Sequence, residues 1–511
     1  MPLAQLPRHL LVIIAIAAGA LAALGFAPTD AWPLTIIGIA VLLALIDAAP
    51  TRGRAALYGW LFGVGHFSLG LTWIAEAFTY QAKMPAALGW VAVIGLSMFL
   101  ALYVALAAVL ARTLAATPAG RVLVLAAGWM LGEWLRGWVL SGFAWNPLGV
   151  AWIWAPGVPQ LAAFGGSLAL SGLMVVAGGA LWLAVQQAWR PAAAGGAVVV
   201  AAVVAGLALD RPVEAPDNPM VYLIQPDIGQ GEKYVPGIEQ AHLQRYLVMT
   251  RAALADRGSS RGALVLWSES SVPYLVEEDP RARALLAAAL GPDDLLMFGG
   301  VAAIRDARGE VVELTNSLYV IDARGRLHGR YDKAHLVPLG EYVPARALMT
   351  RIGLARLAPG DIDFRPGPGP RTLALPGGFG SVGGQICYEI IFPGAVVDPG
   401  KRPGWIANIS NDAWFGGSGP PQHLAQAQMR AIEEGLPIAR ATPTGISAMI
   451  DGRGHLSGVI GPHQRATSAA RLPATLPPTL FGRFGHLASA AFGLLLLALA
   501  VLVERQRPPA R

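Results

Sequence analysis

A glutamate, a lysine and a cysteine each stand at or just past a short apolar run of the kind that forms buried strands. Glu269 lies in Leu266-Trp267-Ser268-Glu269-Ser270, Lys333 in Tyr331-Asp332-Lys333-Ala334-His335-Leu336-Val337-Pro338, and Cys387 in Gly383-Gly384-Gln385-Ile386-Cys387-Tyr388-Glu389. Strand ends are where α/β proteins gather reactive groups, so the three are candidates for one site. A thiol is an effective nucleophile only as thiolate, and its free pKa of about 8.5 calls for a nearby cation or base. Lys333 supplies the charge. Its ammonium would also hold the oxygen that turns negative when a carbonyl is attacked, alongside a backbone N–H in the turn after Cys387. Glu269 supplies the base, taking the thiol proton and later passing it to a leaving group.

Singly, each of these residues has a commoner explanation. A lone cysteine is most often a small buried apolar residue, a strand-end glutamate a surface group, and a lysine a solvated one. Cys387 is nevertheless the only cysteine in the 511 residues, so an internal disulfide is impossible. On the oxidising side of a membrane, such a thiol is either inert and buried or kept free for chemistry.

The elements that must position these residues begin with a membrane part. Hydrophobic residues make up 54% of the chain and charged residues 14%, with a mean hydropathy of +0.50, which is too apolar for an ordinary soluble protein of this length. Apolar stretches run over residues 10–29, 31–46, 55–75, 84–111, 122–140, 161–188, 191–209 and 487–503, giving eight expected spans. The first is expected to stay as an anchor, because Gly25-Phe26-Ala27-Pro28 offers no small-x-small cleavage site. Glu133 and Arg136 interrupt the fifth. Arg52, Arg54, Arg112, Arg121, Arg190, Arg505, Arg507 and Arg511 all fall on one face of this arrangement, which the positive-inside rule makes cytoplasmic, with both termini inside. The segment from about residue 210 to 483, with Cys387 in it, is then exported. The net charge of +6 could suggest nucleic acid, but the arginines form no basic, aromatic-interleaved face, and no nucleic-acid partner is expected.

Pro212, Pro216 and Pro219 form a stiff linker, after which charged residues return at globular density. Strands are expected over 221–224, 263–267, 295–298, 317–321, 381–386 and 405–409, and helices over 238–255, 280–290 and 422–434. Their alternation points to a layered α/β domain. Residues 346–370 combine exposed-looking apolar side chains with Arg365-Pro366-Gly367-Pro368-Gly369-Pro370, and read either as a lid near the membrane surface or as a plain connector.

The contexts of Glu269, Lys333 and Cys387 resemble the carbon-nitrogen hydrolase, or nitrilase, superfamily and its Glu-Lys-Cys triad. Within it, residues 331–341 with Pro338, Gly340 and Glu341, the run Cys387-Tyr388-Glu389, and Ser410-Asn411-Asp412-Ala413-Trp414-Phe415-Gly416 resemble the apolipoprotein N-acyltransferase branch. Trp134-Leu135-Arg136-Gly137-Trp138 with Ser141-Gly142-Phe143, and Pro421-Gln422-His423 with Arg430, are similar to further segments of that family. The resemblance implies a multi-pass α-helical membrane bundle (residues 1–212), an exported nitrilase-like αββα sandwich (217–480) and a last span (486–504) in the bacterial inner membrane, with the catalytic domain periplasmic. It implies transfer of a fatty acyl group from a glycerophospholipid, usually phosphatidylethanolamine, through a Cys387 thioester to the free α-amine of a diacylglyceryl-cysteine apolipoprotein. Family members often carry Trp where Tyr234 stands, and an Asn-Asn-Gly turn where this chain has Pro443-Thr444-Gly445.

Supporting roles are expected for Glu341 beside Lys333, for Glu389 and Tyr388 next to the nucleophile, for Arg136 against a lipid phosphate or as an interfacial anchor, for Trp414 along the acyl path, and for Tyr234 as an aromatic surface. The nine histidines lack zinc-like spacing, so neither a metal nor another cofactor is expected. Two other functions remain compatible: a membrane-tethered amidase or nitrile hydrolase that passes the acyl group to water, and a non-enzymatic transporter or scaffold.

Overall fold

The computed structural model describes residues 5–80, 85–233, 235, 237–256, 262–344 and 363–506, and Tyr234 and most of the expected lid lie outside them. The chain divides into two compact units. The first comprises Met1–Glu76, Pro85–Arg211 and Pro478–Arg511, and the second Ala77–Met84 and Pro212–Pro477.

The first unit is helical. Its long helices are α1 (Arg8–Ala23), α2 (Trp32–Ala48), α3 (Arg52–Gly70), α4 (Leu88–Leu114), α5 (Pro118–Arg136), α6 (Ala162–Val185) and α7 (Trp189–Leu209), with a last helix over His486–Arg505. Among the described residues, four helices are long and apolar enough to cross a membrane, or up to five if the bent pair Arg52–Gly70 and Trp73–Tyr80 is one span. α7 and the last helix leave Val198, Val200, Val204, Leu494, Leu495 and Val501 exposed, a surface stable only in an apolar medium. The fifth helix ends at Arg136, earlier than hydropathy suggests, because Val139–Ser141 turns tightly with Leu140 at φ 55°. Inside the unit, Glu133 accepts hydrogen bonds from Trp129 Nε1 (2.9 Å), Leu148 N (2.6 Å) and Ser171 Oγ (2.6 Å), which is how a carboxylate is accommodated there.

The second unit holds two six-stranded sheets. One is ordered β12-β1-β2-β3-β4-β5, from β1 (Met220–Gln225), β2 (Leu264–Leu266), β3 (Leu295–Arg305), β4 (Val311–Asp322), β5 (Leu327–Asp332) and β12 (Ala466–Arg471). The other is ordered β11-β10-β9-β8-β7-β6, from β6 (Thr372–Ala374), β7 (Ser381–Ile386), β8 (Trp405–Ile409), β9 (Ile438–Ala441), β10 (Ser447–Ile450) and β11 (Leu456–Ile460). Each has a parallel trio at its centre, β1-β2-β3 and β7-β8-β9, flanked by antiparallel strands.

Alternation along the strands sorts the first sheet's residues to two faces. Tyr222, Ile224, Val265, Trp267, Phe298 and Tyr319 form a core with helix α9 (Glu239–Ala255), which buries Leu243, Tyr246 and Leu247. On the opposite face, Gln225 accepts from Ser447 Oγ of the second sheet at 2.6 Å. The sheets come close enough that a Cβ at Gly384 would sit 2.5 Å from the Tyr331 ring. Short helices α8 (Gln230–Lys233) and α10 (Pro280–Ala287) complete the first half, and α11 (Gly419–Glu434) covers the turn that follows β7. α11 starts on Pro420-Pro421 and stops at Gly435 in the left-handed region (φ 66°), the favoured order for these residues.

Candidate active site

Glu269 follows β2, Lys333 follows β5 and Cys387 follows β7, and all three are buried. The backbone turns sharply at two of these places, with Ser270 at φ 51° and Cys387 at φ 52°. Strain of this kind re-aims side chains and is found at functional sites. Gly299 makes the first turn possible, since a Cβ there would lie 2.5 Å from Ser270 N.

Lys333 Nζ lies 3.4 Å from Glu269 Oε1 and 3.0 Å from Glu341 Oε1. Asn316, on β4, donates its amide to both carboxylates, at 2.7 Å to Glu269 and 2.8 Å to Glu341, and Val337 N closes the other Glu341 oxygen at 2.8 Å. Burial works against the Lys333 ammonium, but Glu341, Glu269, Cys387 and Glu389 outweigh it and hold its pKa above the ordinary lysine value. The ammonium is therefore a fixed charge at neutral pH. Glu341 thus sits where the sequence places it, beside the lysine.

The thiol behaves differently from expectation. Burial pushes the Cys387 pKa up, Glu269 adds to this, and the opposing effect of Lys333 is insufficient, so it reaches about 12. Lys333 does not ionise the thiol at rest.

Glu389 is a clasp between the lysine and cysteine segments. It accepts from Tyr331 Oη (2.6 Å), Ala334 N (2.7 Å) and His335 N (3.1 Å) of the lysine segment, and from Ile386 N (2.7 Å) beside Cys387. Its carboxylate is consumed by these four donors, and burial raises its pKa. Tyr388 is buried between His335 and Phe392, with ring centroids 5.6 and 5.1 Å away. Trp414 is half-buried and meets the Tyr80 ring edge-on at 6.0 Å.

Arg136 belongs to the first unit, is 3% exposed, donates to the carbonyls of Trp145 (2.7 Å) and Asn146 (3.4 Å), and lines a cavity with His66, Phe67, Tyr103 and Glu133. The Gly-Pro-rich end of the expected lid is tied down: Phe364 N donates to Glu341 O at 3.0 Å, Arg365 N to Leu314 O at 2.7 Å and Gly367 N to Lys333 O at 2.8 Å.

Several residues escape the sequence. Lys233 on α8 lies 3.4 Å from the Glu269 carbonyl, and burial depresses its pKa to about 8 despite the nearby charges of Glu269 and Cys387. Gln230, also on α8, accepts from Asn411 Nδ2 at 3.0 Å. Behind the nucleophile, Asp412, His423 and Arg440 form a buried polar group. A half-cavity of about 130 Å³ lies beside Glu389, lined by Ala334, His335, Pro370, Phe392 and Ala395.

A family profile described as "Apolipoprotein N-acyltransferase N-terminal domain" matches residues 18–180, and one described as "Carbon-nitrogen hydrolase" matches residues 237–476. The apolipoprotein N-acyltransferase of Rhodopseudomonas palustris is 36% identical, over 97% of this chain and 95% of its own. That of Bradyrhizobium diazoefficiens is 37% identical, over 98% of this chain and 95% of its own. The chain belongs to the apolipoprotein N-acyltransferase family. It is an acyltransferase with a carbon-nitrogen hydrolase domain. Among solved structures, Saccharomyces cerevisiae Nit3, a member of branch 10 of the nitrilase superfamily, is similar over 50% of this chain and 90% of its own, at 17% identity and a TM-score of 0.36.

Proposed function

We propose that this apolipoprotein N-acyltransferase moves a fatty acyl group from a glycerophospholipid, phosphatidylethanolamine being the expected donor, to the α-amine of an S-diacylglyceryl-cysteine at the start of an apolipoprotein. The observation that carries this reading is a buried Glu-Lys-Cys set, its lysine locked between Glu269 and Glu341, in a chain matching the named acyltransferases over nearly its whole length.

In the first half-reaction Glu269 takes the Cys387 proton while the sulfur attacks the ester carbonyl. Lys333 and the backbone N–H after Cys387 hold the developing oxyanion. The intermediate collapses, the ester C–O bond breaks, and the alkoxide leaves as lysophospholipid with the proton from Glu269. In the second half, the neutral α-amine attacks the thioester, Glu269 takes its proton, the C–S bond breaks and Glu269 returns the proton to the leaving sulfur, restoring thiol and carboxylate. A site poor in water protects the thioester from hydrolysis, which separates transfer to an amine from transfer to water.

The eight long helices described in the first unit are the eight spans in this reading, with the arginine-bearing face cytoplasmic, both termini inside and the catalytic unit exported from a bacterial inner membrane. Tyr388 and Trp414 then line the path of the acyl chain, with Tyr234 supplying a further aromatic surface. Mass spectrometry of the full-length protein after incubation with phosphatidylethanolamine tests the proposal. Cys387 should gain one fatty-acyl mass, which a diacylglyceryl-cysteine peptide removes. A Cys387→Ala protein that still acylates the peptide refutes it.

A further inference from the structure

His423 lies on α11, fully buried, with Nε2 3.1 Å from the carbonyl oxygen of Cys387. A carbonyl oxygen only accepts, so Nε2 must carry the hydrogen. Burial and the neighbouring Arg440 charge depress the ring's pKa, leaving it neutral and Nδ1 an acceptor. Arg440 Nη2 stands 3.1 Å from Nδ1 and 2.5 Å from Asp412 Oδ2, so one guanidinium N–H edge serves both. Asp412 Oδ1, which also lies 3.0 Å from Nδ1, accepts Ser410 Oγ–H at 2.6 Å. Asn408 receives the other end of the Arg440 guanidinium. A chain of buried polar groups therefore runs from β8 and β9 through α11 to the peptide bond of the nucleophile.

That peptide bond needs an anchor. Cys387 has φ 52°, a conformation that a non-glycine residue keeps only when its surroundings impose it. In a trans peptide the carbonyl and the following N–H point in opposite directions, so fixing the Cys387 oxygen also fixes the direction of the Tyr388 N–H. We infer that His423 is a positioning residue: by holding the Cys387 carbonyl it aims the Tyr388 N–H at the oxygen of the reacting carbonyl, opposite the Lys333 ammonium. Arg440, donating to Nδ1, holds the imidazole in the tautomer this requires, and Asp412 in turn holds Arg440. The inference rests on Cys387 being the nucleophile of the proposed acyl transfer.

The test uses the full-length protein in detergent, wild type beside His423→Gln and His423→Leu, with three readouts. The first is the rate of acyl-adduct formation on Cys387 from phosphatidylethanolamine. The second is the affinity for a long-chain fatty aldehyde, to which the thiol adds: an S–C bond forms, the thiol proton ends on the former carbonyl oxygen, and that oxygen needs the same N–H. The third is alkylation of Cys387 by iodoacetamide, which develops no oxyanion. Losing an oxyanion donor outright costs about 100- to 1000-fold, so misaiming one predicts a 10- to 100-fold loss of acylation and of aldehyde affinity in His423→Leu. Alkylation should stay within about twofold of wild type in that variant. Glutamine, whose Nε2–H can reach the same carbonyl, should recover most of the loss. Equal losses in the two variants, undiminished acylation or aldehyde affinity in His423→Leu, or alkylation falling in parallel with acylation would each overturn it. A wild type that binds aldehyde but gains no acyl mass from phosphatidylethanolamine refutes the donor assignment, and the aldehyde comparison still decides the role of His423.

Discussion

Replacing Glu389 tests whether its carboxylate is the clasp of the site. In Glu389→Gln one oxygen can still face Tyr331 Oη, Ala334 N and His335 N, but the new NH₂ then opposes the Ile386 N–H, now 2.7 Å from an oxygen. One buried N–H loses its acceptor, which costs about 1–3 kcal/mol. For a unit of this size that corresponds to a fall in melting temperature of about 2–4 °C per kcal/mol. Glu389→Ala strands all four donors, and even with water entering to satisfy some of them the loss should exceed that of glutamine by about 2 kcal/mol or more. Because the donors belong to the segments carrying Lys333 and Cys387, acyl-adduct formation should fall in the same order, wild type above glutamine above alanine. Thermal unfolding of the full-length protein in detergent and single-turnover mass spectrometry of Cys387 provide the two measurements. An alanine variant that melts with wild type and acylates at its rate would refute the clasp.

Other outcomes follow from the site's charges and packing. The pKa of Lys233 is depressed, so its charge costs stability fully below pH 8 and the cost disappears as pH rises toward the unfolded value near 10.5. Lys233→Met should therefore raise stability at pH 7 by on the order of 1–3 kcal/mol and abolish the gain between pH 8 and 10.5, as denaturation followed across pH would show. The raised pKa of Lys333 has the opposite sign: its stabilisation is complete below the unfolded value and is lost above it, so Lys333→Met should lower stability at neutral pH and flatten the alkaline decline. With the thiol near 12, iodoacetamide alkylation of Cys387 should accelerate steadily from pH 7 to 10, and a plateau near neutrality would show a resting thiolate. Gly384→Ala drives a methyl to 2.5 Å from the Tyr331 ring and should cost about 1–3 kcal/mol in thermal or chemical unfolding.

Much of the parallel core was legible because buried strands are continuous runs of branched residues: 381–386 and 405–409 have the expected bounds, 221–224 and 263–267 come within a residue at each end, and 295–298 marks the start of a strand that runs on to Arg305. Most of the antiparallel margins were not, nor was β9, whereas the buried half of β4, 317–321, was. Leu-His-Gly-Arg-Tyr-Asp of β5 and Leu-Ser-Gly-Val-Ile of β11 are short, half-exposed and broken by polar residues or glycine, so no period rises above the background. In the site, Glu269, Lys333, Glu341 and Cys387 are carried by motifs, whereas Lys233 and Gln230 sit in a polar stretch without a pattern. Asn316 and Arg440 did leave a trace, a polar side chain inside or beside a strand-like run, where only a tertiary partner makes burial tolerable. The thiol's protonation state could not be read at all, since burial outweighs the nearby cation and burial is a property of the fold.

Glu269 and Lys333 come from one sheet, Cys387 from the other, and β12, the last strand described, completes the first sheet by pairing with β1, the earliest. A growing chain therefore cannot carry a working sulfur until its tail has returned to its beginning. In the proposed reaction, acyl exchange then belongs to the folded chain with both sheets assembled, not to a nascent fragment.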